Sequence, residues 1–294
     1  MKRIAVLGGT GMAGHVVVTH LSECGYDVHY TSRSAPESPR SKQINASDIS
    51  SLSAWLEYVK PNVIINCMGM LISKSDARPD LAIMINSYIP RHLEHLYSNS
   101  GTKIIHLSTD CVFSGKRGGY HETDTPDGET VYDRTKALGE IVNDKDLTFR
   151  MSILGPDSNP NGTGLFNWFM RQTGDIKGFT KAIWNGVTTI ELAQAIDSAI
   201  KQDLTGLYHL TPKEAIDKYN LILLFKKVFE KTNVTVEPYD GYVADKTLVN
   251  NRTDFNFSIK TYPQQVEEMQ KWIKQHKSLY SHYLNSNVIL HECI

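Results

Sequence analysis

The chain has 294 residues, with 31 Lys and Arg against 32 Asp and Glu, a formal net charge of -1 and 40% hydrophobic residues. That balance supports a sizeable core and excludes a disordered chain, and its dispersed charge excludes an electrostatic nucleic-acid binder. The four cysteines, Cys24, Cys67, Cys111 and Cys293, lack metal-ligand spacing, and no apolar run approaches the roughly 20 residues of a membrane helix, so a reduced, soluble, cytoplasmic protein is expected.

Met1-Lys2-Arg3 ahead of Ile4 to Leu7 looks superficially like a secretory leader, but Gly8, Gly9, Gly11 and Gly14 interrupt it. Ile4 to Leu7 reads instead as a buried parallel strand ending in glycines, followed by a helix over 13–24. Strands are predicted at Asp27 to Thr31, Val63 to Asn66 and Lys103 to Ser108, with helices over 51–59 and 81–99 between them. This alternation predicts an α/β fold, a doubly wound parallel sheet of Rossmann type. Beyond Arg150 the texture changes: a polar loop from Asp157 to Gly164 precedes helical patterns at 165–173, 189–201 and 217–231, separated by short strand-like pieces such as Leu207 to Leu210. The expected division is a dinucleotide-binding domain of residues 1–151 with 185–203, and a smaller α/β substrate-binding lobe of 152–184 with 204–294. From about Ser278 the chain reads as a peripheral helix or tail.

Gly8, Gly11 and Gly14 form a G-x-x-G-x-x-G turn directly after the first strand. Glycine allows the tight turn and the close approach of a diphosphate, while the following helix N-terminus offers free amides. Thr10, Met12 and Ala13 complete this candidate cofactor cradle. At the end of the second strand, NAD-binding sheets usually carry a carboxylate for the ribose hydroxyls; this chain has Ser32-Arg33, a hydroxyl and a guanidinium suited to a 2′-phosphate. NADPH is therefore expected over NADH.

Tyr132 and Lys136 stand four residues apart, on one face of a helix, where an ammonium favours the phenolate. Ser108-Thr109-Asp110 ends a predicted parallel strand, the edge of the sheet where ligands bind, so Thr109 can reach a substrate oxygen opposite Tyr132.

These motifs together resemble the extended short-chain dehydrogenase/reductases, and within them the dTDP-4-dehydrorhamnose reductase-like sugar-nucleotide reductases. The resemblance spans nearly the whole chain, through the glycine turn, Asn66-Cys67-Met68-Gly69, Ile85-Asn86, the run from Ser108 to Gly115, Glu122-Thr123-Asp124, Tyr132 to Lys136 with Gly139-Glu140, and Arg150-Met151-Ser152. It implies catalytic roles for Thr109, Asp110, Tyr132 and Lys136, and cofactor contacts at Asn66, Cys67, Met68, Gly69 and Asn86 as well as at Tyr132 and Lys136. Asn45-Ala46 stands where the family commonly has an Asp that holds adenine; the amide still accepts a hydrogen bond. Cys67 and Cys111 fall near the site and read as small buried hydrophobes. In the second lobe Phe166, Trp168, Lys181, Trp184 and Arg252 are candidates for the substrate's nucleotide end, by stacking on a base or neutralising a diphosphate. His92 and His95 have no third ligand near them, and no metal site is expected.

The expected activity is NADPH-dependent reduction of the 4-keto group of a nucleotide-activated 6-deoxysugar in surface polysaccharide synthesis. The substrate is dTDP-4-keto-rhamnose or, because Met70 to Ala77 departs from the rhamnose-pathway pattern and Gly69 frees volume beside Ser73 and Lys74, a UDP-2-acetamido-2,6-dideoxy-4-keto-hexose. A 4,6-dehydratase is disfavoured because Cys111 occupies the position of its Glu base. Two alternatives are retained: a nucleotide-sugar 4-epimerase, and a non-catalytic NADP-binding regulatory subunit like that of methionine adenosyltransferase. A nucleotide-sugar ligand, no nucleic acid, no membrane, and a homodimer as a permitted assembly complete the expectations.

Overall fold

The protein is described here as a computed structural model covering residues 1–34 and 36–284; Cys293 and the end of the expected C-terminal tail lie outside the described residues. In chain order its strands are β1 (Arg3–Leu7), β2 (Asp27–Ser32), β3 (Ser41–Gln43), β4 (Val63–Asn66), β5 (Lys103–Leu107), β6 (Leu147–Arg150), β7 (Ile153–Leu154), β8 (Gly174–Trp184), β9 (Val187–Thr188), β10 (Gly206–His209), β11 (Ile216–Asp217) and β12 (Val234–Asp245). The helices that matter below are α1 (Gly14–Glu23), α2 (Ile49–Val59), α3 (Ile72–Ala77), α4 (Pro79–Ala82), α5 (Ile89–Leu96), α6 (Val131–Leu138), α7 (Leu165–Arg171), α8 (Thr189–Gln202), α9 (Lys218–Val228) and α10 (Tyr262–Gln275). None of the described helices is long and apolar enough to cross a membrane.

Seven strands form one sheet in the order β10-β6-β5-β4-β1-β2-β3, and every pairing in it is parallel. Ile4 to Leu7, β4, β5 and β6 are buried along their length, as expected for strands covered by helices on both faces. The strand order reverses between β1 and β4, which opens a crevice at the carboxyl ends of β1, β4 and β5. The strand expected in the smaller lobe at Leu207 to Leu210 is instead β10, hydrogen-bonded to β6 at the edge of the central sheet.

The second lobe contains more β-structure than its sequence announces. β8 and β12 pair in parallel over most of their length, with a register irregularity between Tyr239 and Val243, and β11 runs antiparallel to the end of β8. Their outward positions carry Asp175, Lys177 and Glu237, which dilute the apolar signal. One hydrophobic cluster runs from Val16 and Ile65 beside the central sheet through Phe166, Ile196 and Trp184 to Phe225 and Val236 in the second lobe. The β8–β11–β12 sheet and the central sheet therefore share one core.

The helix predicted over 81–99 is α4 and α5 joined by a π-helical turn, Ile83–Tyr88, in which the Ile89 amide donates to the Met84 carbonyl. Pro90 supplies the reason. It has no amide proton for the carbonyl of Asn86 four residues earlier, and its ring would crowd that carbonyl in a regular helix. Widening the turn relieves the crowding and delivers Asn86 to the crevice.

Candidate active site

The glycine turn is shaped by contacts that exclude side chains. Gly8 has φ +77°, and a Cβ on Gly14 would stand 2.1 Å from the Gly8 carbonyl oxygen. The Gly9 amide donates to the Thr31 carbonyl at 2.8 Å and the Gly8 amide to the Thr31 hydroxyl at 3.2 Å, tying the turn to the end of β2. Thr10 and Gly11 remain exposed at its tip, Met12 is half-buried, and Ala13 packs inward ahead of α1. This is a shallow cradle of backbone at a helix N-terminus, with room for an anionic diphosphate. Ser32 is buried at the end of β2 while Arg33 beside it is exposed. Ala46 is buried, and Asn45 Oδ1 accepts from the Ser47 amide and hydroxyl at 3.1 and 3.0 Å.

Beyond β5, the Ser108 amide donates to the Phe149 carbonyl at 2.7 Å and the Asp110 amide to the Met151 carbonyl at 3.1 Å, which fixes the Ser108-Thr109-Asp110 turn to the strand beside it. Thr109 Oγ1 donates to Asp110 Oδ1 at 3.1 Å and accepts from the Cys111 amide at 3.1 Å. Helix α6 opens with a capping box between Thr130 and Asp133, so its first turn, and Tyr132 within it, is held at both ends of the cap. The Tyr132 hydroxyl faces Thr109; burial, then the nearby Cys111 thiol, raises its pKa above the ordinary tyrosine value. Lys136 is 3% exposed, and its Nζ donates to the Leu107 carbonyl at 2.6 Å. Burial brings its pKa down to about 8, against the opposing pull of Glu140 and Cys67. Tyr132 thus lies by Thr109, and Lys136, on the same helix, reaches the end of β5 through the Leu107 carbonyl.

Three further polar groups brace this array. Asn86 Oδ1 accepts from the Met70 amide at 2.8 Å, while its Nδ2 donates to the Met70 carbonyl and to Thr135 Oγ1, both at 3.1 Å. It therefore links the Cys67 to Met70 loop to α6, with Gly69 exposed at the loop's tip. Asn66 Oδ1 accepts from the Met68 amide at 3.2 Å, which turns its Nδ2 toward His106 Nδ1 at 3.2 Å; His106 Nε2 lies 3.5 Å from Lys136 Nζ. Cys67 sits near the same ammonium, and burial raises its thiol to about 12. Behind the turn, Ser108 Oγ donates to Glu140 Oε1 at 2.6 Å, Arg150 grips the same carboxylate at 2.9 and 2.5 Å, and Arg150 Nη1 donates to His209 Nε2 at 3.0 Å. His106 is visible in the sequence only as a polar residue inside an apolar strand; Glu140 and Arg150 fall within recognisable motifs, but nothing local pairs them with each other or with His209.

The second-lobe candidates scatter. Phe166 is fully buried among Phe225, Phe229 and Tyr283, and Trp168 packs half-buried against the same core. Lys181 is exposed and pairs with Asp240 at 3.4 Å. Arg252 forms a fork with Asp254 and donates to the Thr205 and Leu207 carbonyls at 2.6 and 3.0 Å, bracing β10. Trp184 is buried: its Nε1 donates to Ser152 Oγ at 2.7 Å, and the Lys218 ammonium lies 4.7 Å above its ring. Lys218 and Lys246 carry no signal in the sequence; the first is close to Asp110 and Cys111, and the second faces the Cys111 thiol.

Residues 1–247 match the family described as RmlD substrate binding domain. A dTDP-4-dehydrorhamnose reductase of Streptomyces griseus is 30% identical over 140 residues, 47% of this chain and 43% of that protein. Methionine adenosyltransferase 2 subunit beta of Xenopus tropicalis is 24% identical over 296 aligned residues, 88% of this chain and 86% of that one. Among solved structures, the dTDP-4-dehydrorhamnose reductase of Bacillus anthracis in complex with NADP is similar in fold, with a TM-score of 0.80 at 20% identity, covering 92% of this chain and 99% of that one.

Proposed function

The chain belongs to the RmlD substrate binding domain family, and on that premise we propose that it is an NADPH-dependent reductase of the 4-keto group of a nucleotide-activated 6-deoxysugar. The observation that carries this reading is the convergence of Thr109, Tyr132 and Lys136 at the sheet edge beside the glycine turn. The cradle suits a dinucleotide: a side chain at Gly14 would collide with the Gly8 carbonyl, while Thr10 and Gly11 are open to a ligand. Gly8 to Gly14 would hold the diphosphate, Ser32 and Arg33 the 2′-phosphate, Asn45 and Ala46 the adenine, and the Asn66 to Gly69 loop, held in place by Asn86, the remainder. When bound, NADPH supplies the hydride.

The chain's own residues handle the proton. The Tyr132 hydroxyl, raised in pKa by burial, stays protonated at neutral pH and donates to the ketone oxygen. Thr109 Oγ1 aims a second hydrogen bond at that oxygen, and Asp110 orients the Thr109 hydroxyl. Lys136, on the same helix and bonded to the Leu107 carbonyl, offers its remaining donors to a ribose. Trp184 forms part of the wall for the substrate's nucleotide end. The altered Met70 to Ala77 segment, helical from Ile72 as α3, favours a UDP-2-acetamido-2,6-dideoxy-4-keto-hexose over dTDP-4-keto-rhamnose, with the exposed Ser73 and Lys74 as polar partners for the acetamido group.

Following NADPH oxidation with the two keto-sugar nucleotides side by side, with NMR of the products, tests this directly. Turnover is expected with both and faster with the UDP compound; no oxidation with either overturns the reductase reading. A second reading, a non-catalytic regulatory subunit, draws on the long match to methionine adenosyltransferase 2 subunit beta. It predicts NADPH binding without oxidation, so the same assay separates the two.

A further inference from the structure

Helix α1 begins at the glycine turn, and its other end, packed against α8, carries a cluster of side chains that the proposed reduction does not use. His20 and Cys24 stand four residues apart. The Cys24 amide donates to the His20 carbonyl at 2.9 Å, so the helical turn continues to Cys24 and both side chains share one face. Cys24 Sγ lies 3.6 Å from His20 Nε2 and 4.0 Å from Asp197 Oδ2 of α8. The ligand atoms of all three residues lie within 4.8 Å of one another. Asp197 stands 173 residues beyond Cys24, so no spacing in the sequence announces the group. The chain reverses right after Cys24. Gly25 has φ +84°, its amide donates to the Ser22 carbonyl and the Tyr26 amide to the Leu21 carbonyl, a common glycine ending of a helix. That reversal lets the Tyr26 hydroxyl donate to Asp197 Oδ1 at 2.9 Å, which holds one carboxylate oxygen while the other faces the thiol. The Asp197 side chain is 13% exposed, His20 is half-buried and Cys24 is exposed, so an ion can enter from solvent.

We propose that His20, Cys24 and Asp197 form a zinc site that ties the end of α1 to α8. Thiolate sulfur, imidazole nitrogen and carboxylate oxygen are the ligands zinc takes, whereas magnesium and calcium take oxygen throughout. Zinc bonds of about 2.3 Å to sulfur and about 2.0–2.1 Å to nitrogen and oxygen set the tetrahedral edges that meet at sulfur to about 3.5–3.6 Å. The sulfur–nitrogen distance already has that length, and the sulfur–oxygen distance exceeds it by about 0.5 Å, within reach of a small side-chain rotation. Lys201 Nζ donates to Asp197 Oδ2 at 2.7 Å from one turn along α8 and must withdraw as the ion enters. Its side chain is 62% exposed, so this is a solvent-screened pair that gives way readily. The neighbouring carboxylates are engaged elsewhere, Glu23 with His276 at 2.8 Å and Glu268 with Lys260 at 3.1 Å. Three protein ligands leave the fourth position of the tetrahedron to water. On binding, the S–H bond of Cys24 breaks, its proton goes to solvent and the sulfur electron pair to the ion; zinc stays divalent and nothing is oxidised or reduced.

Cobalt(II) is the coloured probe for such a site. The full, untagged chain, stripped with chelator and kept reduced by a phosphine, is titrated with cobalt and then with zinc. It should take up a single equivalent of cobalt, with a thiolate-to-cobalt charge-transfer band in the near ultraviolet and the intense visible bands of a tetrahedral centre. Zinc should then bleach both. Cys24→Ser should abolish the charge-transfer band. His20→Gln and Asp197→Asn should each weaken binding by at least about 10–100-fold, the loss that follows when even a supporting partner of a metal ligand is removed. Circular dichroism confirms that the variants fold. Zinc at about 100 times its Kd should also raise the melting temperature of the native protein by at least about 3 °C and leave that of Cys24→Ser unchanged. Absence of the charge-transfer band in the native protein, or its survival in folded Cys24→Ser, overturns the proposal. Neither nicotinamide nor a sugar nucleotide enters the assay, so its outcome is independent of the reductase reading.

Discussion

Tyr132 carries the sharpest demand on a single side chain, because it must stay protonated in a buried site until the ketone oxygen needs a proton. Removing only its hydroxyl, as in Tyr132→Phe, keeps the ring packing and leaves the glycine turn untouched. Turnover is expected to fall about 10²–10⁴-fold while NADPH affinity is unchanged, as steady-state assays and a cofactor titration would measure. Arg33 poses a different question, since it is exposed and its proposed work is entirely with the 2′-phosphate. Losing a charge-assisted hydrogen bond costs about 1.5–3 kcal/mol, so Arg33→Ala should weaken NADPH at least about tenfold and leave NADH nearly as before. Equal affinities of the native protein for NADPH and NADH would remove the role assigned to Arg33.

Among the elements, the helix pair formed by α6 and the widened α4–α5 helix sets the geometry of the site. Gly139, just after α6, lies so close to the π-helical turn that a Cβ would stand 1.9 Å from the Asn86 carbonyl oxygen and 3.0 Å from Pro90 Cγ. Its φ is -81°, so an alanine meets no backbone strain there, only the clash. Gly139→Ala should therefore cost about 1–3 kcal/mol of stability, the usual range for overpacking, and shift Asn86 away from the Met70 loop. Thermal unfolding and NADPH affinity should both worsen; an unaltered melting temperature would mean that the helices separate without cost. This contact also shows where the sequence stops being legible. The strand–glycine–helix turn and the Tyr132–Lys136 spacing are local patterns, and both stand where they were expected. Pro90 explains the π-helical turn locally, but the packing of Gly139 against it joins residues 49 apart, and no periodicity reveals that contact. The lengths of β8 and β12 were hidden for a similar reason: their outer faces are polar and their pairing joins segments about 60 residues apart.

For the molecule as a whole, the site rests on buried polar groups that distant segments bring together, and this ties its stability to pH. Lys218 and Lys246 escaped the sequence reading because only the second lobe's sheet carries them to Cys111, whereas Lys181 and Arg252, with more suggestive neighbours, are spent on Asp240 and Asp254. The same long-range assembly buries His15, His106 and His209, each with a pKa lowered first by burial. His209 is fully buried; its neutral ring donates from Nδ1 to the Val249 carbonyl at 3.0 Å and accepts from Arg150 at Nε2, and its pKa falls to about 3. Because the fold disfavours the charged ring, the unfolded chain binds more protons at every pH between that value and the ordinary one of 6.5. Stability should be complete above about pH 6.5 and fall as the pH drops below it, by about 1.4 kcal/mol per pH unit for each such histidine. Most shifted carboxylates titrate lower, and Asp110, raised by burial, acts in the opposite sense to the histidines, so the difference between the native protein and a single-histidine variant is what isolates one ring. His209→Gln reproduces both hydrogen bonds, an amide N–H toward Val249 and an amide oxygen toward Arg150, without a titrating proton. Urea unfolding at pH 7 and pH 5 should show a drop in the variant smaller by about 2 kcal/mol than in the native protein, with the other histidines lowered by burial, His15, His20, His106 and His282, contributing to the rest. An identical drop in both proteins would mean that His209 exchanges its proton in the folded state as freely as in the unfolded chain, and the buried network behind Ser108 would then be open to water.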